Sequence, residues 1–329
     1  MLPSPTPHQA LRPVSHSLTQ RLDDFRAQRR LHAGSLIISL FGDAVLPRGG
    51  SIWLGSLIRL LAPLDLNERL VRTSVFRLAK DEWLRTQTHG RRADYVLTDT
   101  GRRRFEDASR QIYASHAPLW DRRWRLIFFV GDIPAKDRDG IRRALSWQGF
   151  GTLGADCCIH PGANLVTALD ALVAEGFGEQ LRTLMPLVAA DAQAGLSASA
   201  SDLVERAWDL VAIGKAYGEF VATYQPVLAD LRAGHADVSD EDAFLLRLLL
   251  VHDYRRLLLR DPELPDVLLP ADWPGQHARE LCRDIYRRLL VPSERHLAQV
   301  FTLADGSCPP VDVSFAQRFR EDDPLQASG

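Results

Sequence analysis

The fold of the N-terminal part is decided by residues 35–83, which run SLIISLFGDAVLPRGGSIWLGSLIRLLAPLDLNERLVRTSVFRLAKDEW. Apolar residues recur there at helical spacing in three segments. The pattern therefore predicts three short helices, over 35–45, 51–64 and 67–83. Helices joined by such short links cross at steep angles, which is typical of a helix-turn-helix.

The boundaries of these helices rest on residues that stop or cap a helix. Pro47 cannot continue the first helix, and Gly49 and Gly50 allow a turn after it. Ser51 is a suitable N-cap for the second helix and Asn67 for the third. These residues predict where the first helix ends and where the second and third helices begin.

The third predicted helix has one apolar and one cationic face. Arginine can hold the O6 and N7 atoms of guanine, and threonine can reach a base edge or a phosphate, which is the chemistry of major-groove recognition. A solvated helix face is the simpler alternative. The residues expected to contact DNA from this helix are Asn67, Arg69, Arg72, Thr73, Arg77 and Lys80.

A β-hairpin is predicted directly after this helix. Short alternating runs at 84–87 and 93–97 flank a turn that contains Gly90, followed by Arg91 and Arg92. A basic hairpin behind a basic helix is typical of a winged helix-turn-helix. We expect Arg91 and Arg92, together with Arg48, to contact the DNA backbone or the minor groove.

Basic charge is concentrated in this region. Residues 34–105 hold twelve Arg or Lys against seven Asp or Glu, a net charge of +5, whereas the whole chain carries −2. Three arginines, at 102–104, follow the predicted N-cap Thr98, where the helix dipole disfavours cations. An anionic partner for this region is therefore expected.

The overall composition is that of a soluble protein. Its 329 residues are 46% hydrophobic and 25% charged, and the length suits two or three domains. The N-terminal region has no long apolar run, so we expect neither a signal peptide nor a membrane span, and a cytoplasmic location. The four cysteines lack the spacing of a zinc site, so no metal is expected.

The middle of the chain predicts a small α+β domain. A β-rich run at 124–130, a helix over 137–147, a strand at 157–160 and a helix over 164–175 favour a ferredoxin-like arrangement. The GFGTLG run at 149–154 matches the dinucleotide-binding pattern in its letters. It follows a helix and precedes a strand, the reverse of the required order, which indicates a tight turn.

The C-terminal third predicts helices. One begins near Ser201 and ends at Pro226, a second is capped by Ser239, and a third covers 276–290, with a loose tail beyond Gly306. At the end of the second helix, Arg255 and Arg256 could bind phosphates and the later Trp273 could cover a flat ligand. Complementation of the helix dipole is the simpler alternative, and by itself it accounts for the arginines.

Three separated blocks resemble the PaaX family of bacterial repressors of phenylacetate degradation operons. They are FGDAVLPRGGSIWLGSLIRLLAPLDLNERLVRTSVFRLAKDEWL with YVLTDTG, then WQGFG, and then HDYRRLLLRDPELPDVLLPADWPG with ARELCRDIYRRL. The resemblance implies an α+β multidomain protein with a winged helix-turn-helix, a central ferredoxin-like (Cas2-like) domain and a helical C-terminal domain. The expected boundaries are a flexible extension at 1–33, then 34–118, 119–198 and 199–306, and a tail at 307–329.

The resemblance also implies partners. These are a double-stranded DNA operator, a second copy of the chain in a homodimer, and phenylacetyl-coenzyme A as the effector that releases DNA, with no cofactor. It assigns no effector-binding residue, so Arg255, Arg256 and Trp273 stay candidates on chemical grounds. A relative that responds to another acyl-coenzyme A is an open alternative.

An enzyme is the alternative from another class. A metal-dependent nuclease would need clustered carboxylates, and Asp132, Asp137 and Asp139 follow the first strand of the middle domain. A coenzyme A thioester hydrolase would need a nucleophile, but the sequence has no G-x-S-x-G motif and no evident Cys and His pair. We therefore expect a regulator and not an enzyme.

Overall fold

The computed structural model describes residues 16–27, 33–190, 199–234 and 238–320. The chain divides into two compact units, each built from separated parts of the sequence. The sequence predicted three successive domains, whereas the C-terminal helical region is shared between the two units. Of the described residues, the first unit comprises 16–27, 33–113, 220–234, 238–254 and 280–320, and the second comprises 114–190, 199–219 and 255–279.

The first unit begins with a helix that was not expected. Helix α1 (His16–Arg26) buries Leu18, Leu22 and Phe25 at helical spacing. The guanidinium of Arg21 donates to the carboxylate of Asp253, so polar contacts also hold the helix in place. The prediction of a flexible extension over 1–33 is wrong for this helix, and residues 1–15 and 28–32 lie outside the described part of the chain.

The first predicted helix is present and the second is shorter than expected. Helix α2 (Ala33–Leu40) continues through a π-helical turn, Phe41–Val45, and a 3-10 turn, Leu46–Arg48. Gly49 and Gly50 both have positive φ and reverse the chain, as predicted. Ser51 is not an N-cap, because Ser51–Trp53 forms strand β1 and helix α3 covers only Leu54–Leu61.

The third helix and the hairpin are confirmed. Helix α4 (Glu68–Lys80) begins at Asn67, whose side chain accepts from the Leu70 amide at 2.9 Å. Strands β2 (Leu84–His89) and β3 (Arg92–Leu97) form the hairpin, and β1 pairs with β3 to complete a sheet of order β1-β3-β2. Helix α2 packs against α4. Helix α5 (Asp99–Ile112) then starts at Thr98, which caps it as predicted.

The C-terminal helices are longer than the sequence predicted. Helices α9 (Leu210–Ala233) and α11 (Pro274–Val300) run through Pro226 and Pro292, so Pro226 does not end α9. Tyr224 and Val227 on either side of Pro226 are buried, and this packing offsets the lost backbone hydrogen bond. Helix α10 (Asp240–Leu258) is capped by Ser239, as predicted, and is buried on all sides from Ala243 to His252.

Residues 307–320 are not a loose tail. The Asp312 amide donates to the Pro47 carbonyl at 2.7 Å, and the Phe319 amide donates to the Tyr113 carbonyl at 3.0 Å. The Phe319 ring is fully buried. Phe319 therefore belongs to the core of the first unit, and two backbone hydrogen bonds hold the segment in place. The rest of the predicted tail, residues 321–329, lies outside the described part of the chain.

The second unit is built on a four-stranded antiparallel sheet with two helices in the order β-α-β-β-α-β. Its elements are β4 (Arg123–Phe129), α6 (Ala135–Trp147), β5 (Gly151–Leu153), β6 (Cys157–His160), α7 (Leu165–Ala174) and β7 (Leu184–Ala190). The strand order in the sheet is β5-β6-β4-β7. Helices α6 and α7 cover one face through Ile127, Leu145 and Leu172. Helix α8 (Ala200–Ala207) packs on the other face near Trp124.

None of the helices in the described part of the chain has the length and apolar character needed to cross a membrane.

Candidate nucleic-acid interface

The exposed face of α4 is the centre of the candidate interface. Val71, Val75 and Leu78 are buried at helical spacing and fix the rotation of the helix about its axis. The opposite side is turned to solvent. The side chains exposed there include five of the predicted DNA contacts and one aromatic residue: Arg69, Arg72, Thr73, Phe76, Arg77 and Lys80.

Three of the predicted residues also have roles within the helix. The Arg72 guanidinium donates to Glu68 at 2.7 Å, an exposed pair one turn apart. The Thr73 hydroxyl donates to the Arg69 carbonyl at 2.8 Å, so its proton is used while its oxygen can still accept. Asn67 serves as the N-cap. Exposed pairs such as Arg72 with Glu68 are weak enough to exchange for a phosphate or a base.

The hairpin presents Arg91 at its tip and holds Arg92 against an aromatic ring. Gly90 has φ of +59°, which allows the tight turn. The guanidinium of Arg92 lies 4.7 Å from the centre of the Trp53 ring. Arg59 approaches the same ring at 5.5 Å and is exposed. Sequence reasoning missed Arg59, because it placed Trp53 in a helix and not in the strand that pairs with the hairpin.

Arg48 does not belong to the interface. Its side chain is only 4% exposed, and its guanidinium pairs with Glu294 and donates to the Ala44 carbonyl at 3.0 Å. It also lies 5.4 Å from the Phe301 ring. The 3-10 turn that contains Arg48 directs the side chain into the core, so the expected contact with DNA is wrong for this residue.

The arginines at the start of α5 are partly used inside the first unit. Arg102 donates to the Gly49 carbonyl at 2.7 Å, and Arg104 lies 5.0 Å from the Trp83 ring. Arg103 and Arg104 are exposed. The charge that these residues place at a helix N-terminus is therefore offset in part by local contacts.

A buried polar cluster lies within the first unit and was not predicted. Asp43 accepts from Arg247 at 2.9 Å and from Arg318 at 2.9 Å. The hydroxyls of Tyr113 and Tyr286 donate to the same carboxylate at 2.8 and 3.0 Å. Burial by itself raises the pKa of Asp43, but the two arginines and two hydroxyls hold it below its usual value.

The effector candidates all lie in the second unit. The Trp273 ring stands edge-on to Tyr217 with ring centres 6.0 Å apart, and Gly214 and Gly275 leave room for it. Arg255 is half-buried and Arg256 is exposed. Burial first, and then the charge of Arg256, lower the pKa of Arg255. The positive charge of the two neighbouring arginines would also attract an anion such as a phosphate.

The glycine-rich run in the second unit is a packing site. A Cβ at Gly151 would lie 2.6 Å from the Trp208 ring, and Gly149 has φ of +83°. The Trp208 indole N–H donates to the Gly149 carbonyl at 2.9 Å. These close approaches explain the glycines without a nucleotide and agree with the predicted tight turn.

His160 joins the loop after β6 to the segment after α10. Its Nδ1 accepts from the Gly162 and Ala163 amides at 2.8 and 2.7 Å, and its Nε2 donates to the Pro262 carbonyl at 3.0 Å. Burial lowers the pKa of His160 to about 4. The ring is therefore neutral in the folded protein at physiological pH.

The carboxylates named for a nuclease do not gather in one place. Asp137 accepts from the Gln180 side chain at 3.1 Å, while Asp132 and Asp139 are exposed. Across the residues that the structure describes, no group of three or more His, Cys, Asp or Glu could hold a metal ion.

Comparison with protein families matches three regions of the chain. Residues 32–101 match the PaaX-like protein family, residues 117–186 the PaaX protein central Cas2-like domain, and residues 208–299 the PaaX-like protein C-terminal domain. The chain is also 36% identical over 288 residues to the transcriptional repressor PaaX of Escherichia coli strain K12, covering 87% of this chain and 89% of the relative. The chain belongs to the PaaX family.

The family matches correspond to features described above. The PaaX-like match at 32–101 contains α2 to α4 and the hairpin, and the Cas2-like match contains the sheet up to β7. The uncharacterized protein Rv0674 from Mycobacterium tuberculosis is similar in structure over 73% of this PaaX-family chain and 89% of its own, with 22% identity and a TM-score of 0.47.

Proposed function

We propose that this PaaX-family chain is a sequence-specific DNA-binding transcriptional repressor whose α2, α3, α4 and hairpin form a winged helix-turn-helix. Support comes from the outward face of α4, where Arg69, Arg72, Arg77 and Lys80 are exposed next to a hairpin with a basic tip. The E. coli relative is named as a transcriptional repressor. The second unit, with its β-α-β-β-α-β order, is a ferredoxin-like domain in this proposal.

In this proposal α4 enters the major groove and the hairpin lies over the adjacent backbone. Arg69, Arg72 and Arg77 carry the hydrogen-bond donors that recognise guanine, and Thr73 offers an acceptor. Arg91 and the Trp53-supported Arg92 contact phosphates. The protein acts as a homodimer, with half-sites about one helical turn, ~34 Å, apart.

The target is a phenylacetate catabolic operon in the cytoplasm, and the effector is phenylacetyl-coenzyme A. Family membership supports this assignment, since phenylacetate degradation is what the resemblance implies. Arg255, Arg256 and Trp273 are the proposed effector residues, with the arginines for phosphate and the indole for the flat group. The effector releases DNA if it prefers the conformation that does not bind the operator, by about 1–3 kcal/mol or more.

The DNA-binding part is tested with a labelled duplex from beside the protein's own gene. Wild type, Arg72→Ala and Arg182→Ala are titrated onto it at moderate salt. Arg182 is a matched control, because it is an exposed arginine paired one turn away on the second unit. We expect Arg72→Ala to lose specific binding and Arg182→Ala to keep it. Specific binding retained by Arg72→Ala would rule out α4 as the recognition helix.

The effector part uses the same duplex with phenylacetyl-coenzyme A and with free phenylacetate. We expect release by the thioester alone, and a weaker response in Arg255→Gln and Arg256→Gln. Release by free phenylacetate, or by neither compound, would contradict the proposed effector while leaving the DNA-binding assignment intact.

A further inference from the structure

Phe76 is the one large aromatic side chain on the exposed face of α4. It is 68% exposed, while its neighbour Val75 is fully buried. Arg72 precedes it by one helical turn and Lys80 follows it by one turn, so the ring lies within the basic surface. An isolated exposed apolar residue is common on protein surfaces. The position of Phe76 in the middle of the proposed DNA-contacting face is what sets it apart.

We propose that Phe76 is a specificity-determining residue that packs against the C5-methyl group of a thymine in the operator. This inference rests on the proposed function, because it requires α4 to lie in the major groove. The side chain has no hydrogen-bonding group, so it can favour one base over another only through apolar contact. In the major groove the apolar group that distinguishes a base is the thymine methyl.

The spacing along α4 restricts where this thymine lies. Phe76 is three residues beyond Thr73 and four beyond Arg72, which corresponds to a rise of roughly 4.5 to 6 Å along the helix axis. Base pairs are stacked about 3.4 Å apart. The thymine should therefore lie within about two base pairs of the base that Arg72 contacts, in each half-site.

The flanking cations do not perform the same task. Arg72 recognises guanine through directed hydrogen bonds, and Lys80 attracts phosphates through charge, which gives affinity at many sequences. Phe76 carries no charge, so its contribution does not depend on counterion release. The side chain therefore adds selectivity for T·A pairs while changing the salt dependence of binding very little.

The experiment removes the methyl group from the DNA and the ring from the protein. The probe is the upstream duplex of the protein's own gene, trimmed to the footprinted site, in which each thymine is replaced in turn by deoxyuridine. Affinities are measured for wild type, Phe76→Ala and Phe76→Leu. Val211→Ala is the matched control, since Val211 is an 83% exposed apolar residue on the second unit.

We expect deoxyuridine at one position in each half-site to weaken wild-type binding about three- to tenfold, as the loss of one buried methyl group predicts. Phe76→Ala should bind the unmodified duplex more weakly and show no further loss at that position. Phe76→Leu should keep part of the sensitivity, and Val211→Ala should behave as wild type. Non-additive losses of this kind identify a direct contact.

Two results would overturn the inference and differ in what they imply. If wild type binds specifically but Phe76→Ala shows the same deoxyuridine penalties as wild type, Phe76 does not contact a thymine and the proposed function stands. If wild type shows no specific binding to the upstream duplex, the proposed function fails and the inference fails with it. Circular dichroism checks that each variant is folded. We expect the Phe76 variants to fold as wild type does, because the side chain is exposed and not part of the core.

Discussion

The carboxylate of Asp43 and the guanidinium of Arg247 lie 2.9 Å apart, and their side chains are 2% and 0% exposed. The same carboxylate accepts from Tyr113, Tyr286 and Arg318, so four separate segments of the chain converge on it. Arg247 also pairs with Glu294 at 2.8 Å. This buried cluster joins the turn after α2 to helices α5, α10 and α11 and to the C-terminal segment.

We predict that Asp43→Asn destabilises the first unit by about 3–5 kcal/mol, because it leaves Arg247 and Arg318 buried without their shared counter-charge. Urea unfolding of wild type and variant, followed by tryptophan fluorescence, measures the change. Asp107→Asn is the control, since Asp107 pairs with Arg110 on the exposed side of α5. A loss in Asp43→Asn no larger than that in Asp107→Asn would show that the cluster does not stabilise the fold.

The N-terminal elements could be predicted because local signals and tertiary packing agree there. Asn67 and Thr98 cap the helices that the sequence assigned to them, and Gly90 forms the predicted hairpin turn. The prediction of an N-cap at Ser51 was wrong, although the residue type suits a cap. Ser51 lies in a strand because it pairs with Val96, 45 positions away in the chain. Pairing between distant segments leaves no local signal.

The interface could be predicted only in part for the same reason. Exposure of Arg69, Arg72 and Arg77 follows from the buried stripe on the other side of α4. The burial of Arg48 depends on Glu294 and Phe301, which come from the far end of the chain. The expected loose tail was wrong because Phe319 is buried by Tyr113 and Tyr286, contacts that no local pattern reveals.

Phe319→Ala should cost the first unit about 3–5 kcal/mol, the usual loss when a buried aromatic side chain is removed from a core. The ring centres of Tyr113 and Tyr286 lie 5.4 and 5.3 Å from that of Phe319, so the cavity opens beside the Asp43 cluster. Val313→Ala is the control in the same segment, where the side chain is 87% exposed. Thermal unfolding measures the difference. If Phe319→Ala unfolds at the same temperature as Val313→Ala, the Phe319 ring does not contribute to stability.

His160 should make the stability of the second unit depend on pH. An unfolded histidine titrates near a pKa of about 6.5, whereas burial lowers the pKa of His160 to about 4. Between these values the unfolded state binds a proton that the folded state does not. The free energy of unfolding should therefore fall by up to about 3 kcal/mol as the pH drops from 6.5 to 4, and His160 should contribute no slope above that range.

This pH dependence is measured by urea unfolding at several pH values in wild type, His160→Gln and His116→Gln. The first variant is expected to be less stable at neutral pH, because the Pro262 carbonyl and two amides lose their partner. Its stability should then fall less steeply than that of wild type between pH 6.5 and 4. His116→Gln is the control for replacing a histidine at an exposed position. Parallel curves for wild type and His160→Gln would contradict the assignment.

Replacing Arg91 should change DNA binding and replacing Arg48 should change stability, although the sequence predicted that both contact DNA. Arg91 is exposed at the hairpin tip, so Arg91→Gln should weaken operator binding at all sequences and lower the slope of log affinity against log salt by about one per protomer. Arg48→Gln should leave that slope unchanged and reduce stability instead, because Arg48 is buried against Glu294. Salt titrations of the labelled duplex, paired with urea unfolding, separate the two. A salt slope lowered by Arg48→Gln and not by Arg91→Gln would mean that the hairpin tip does not contact phosphate.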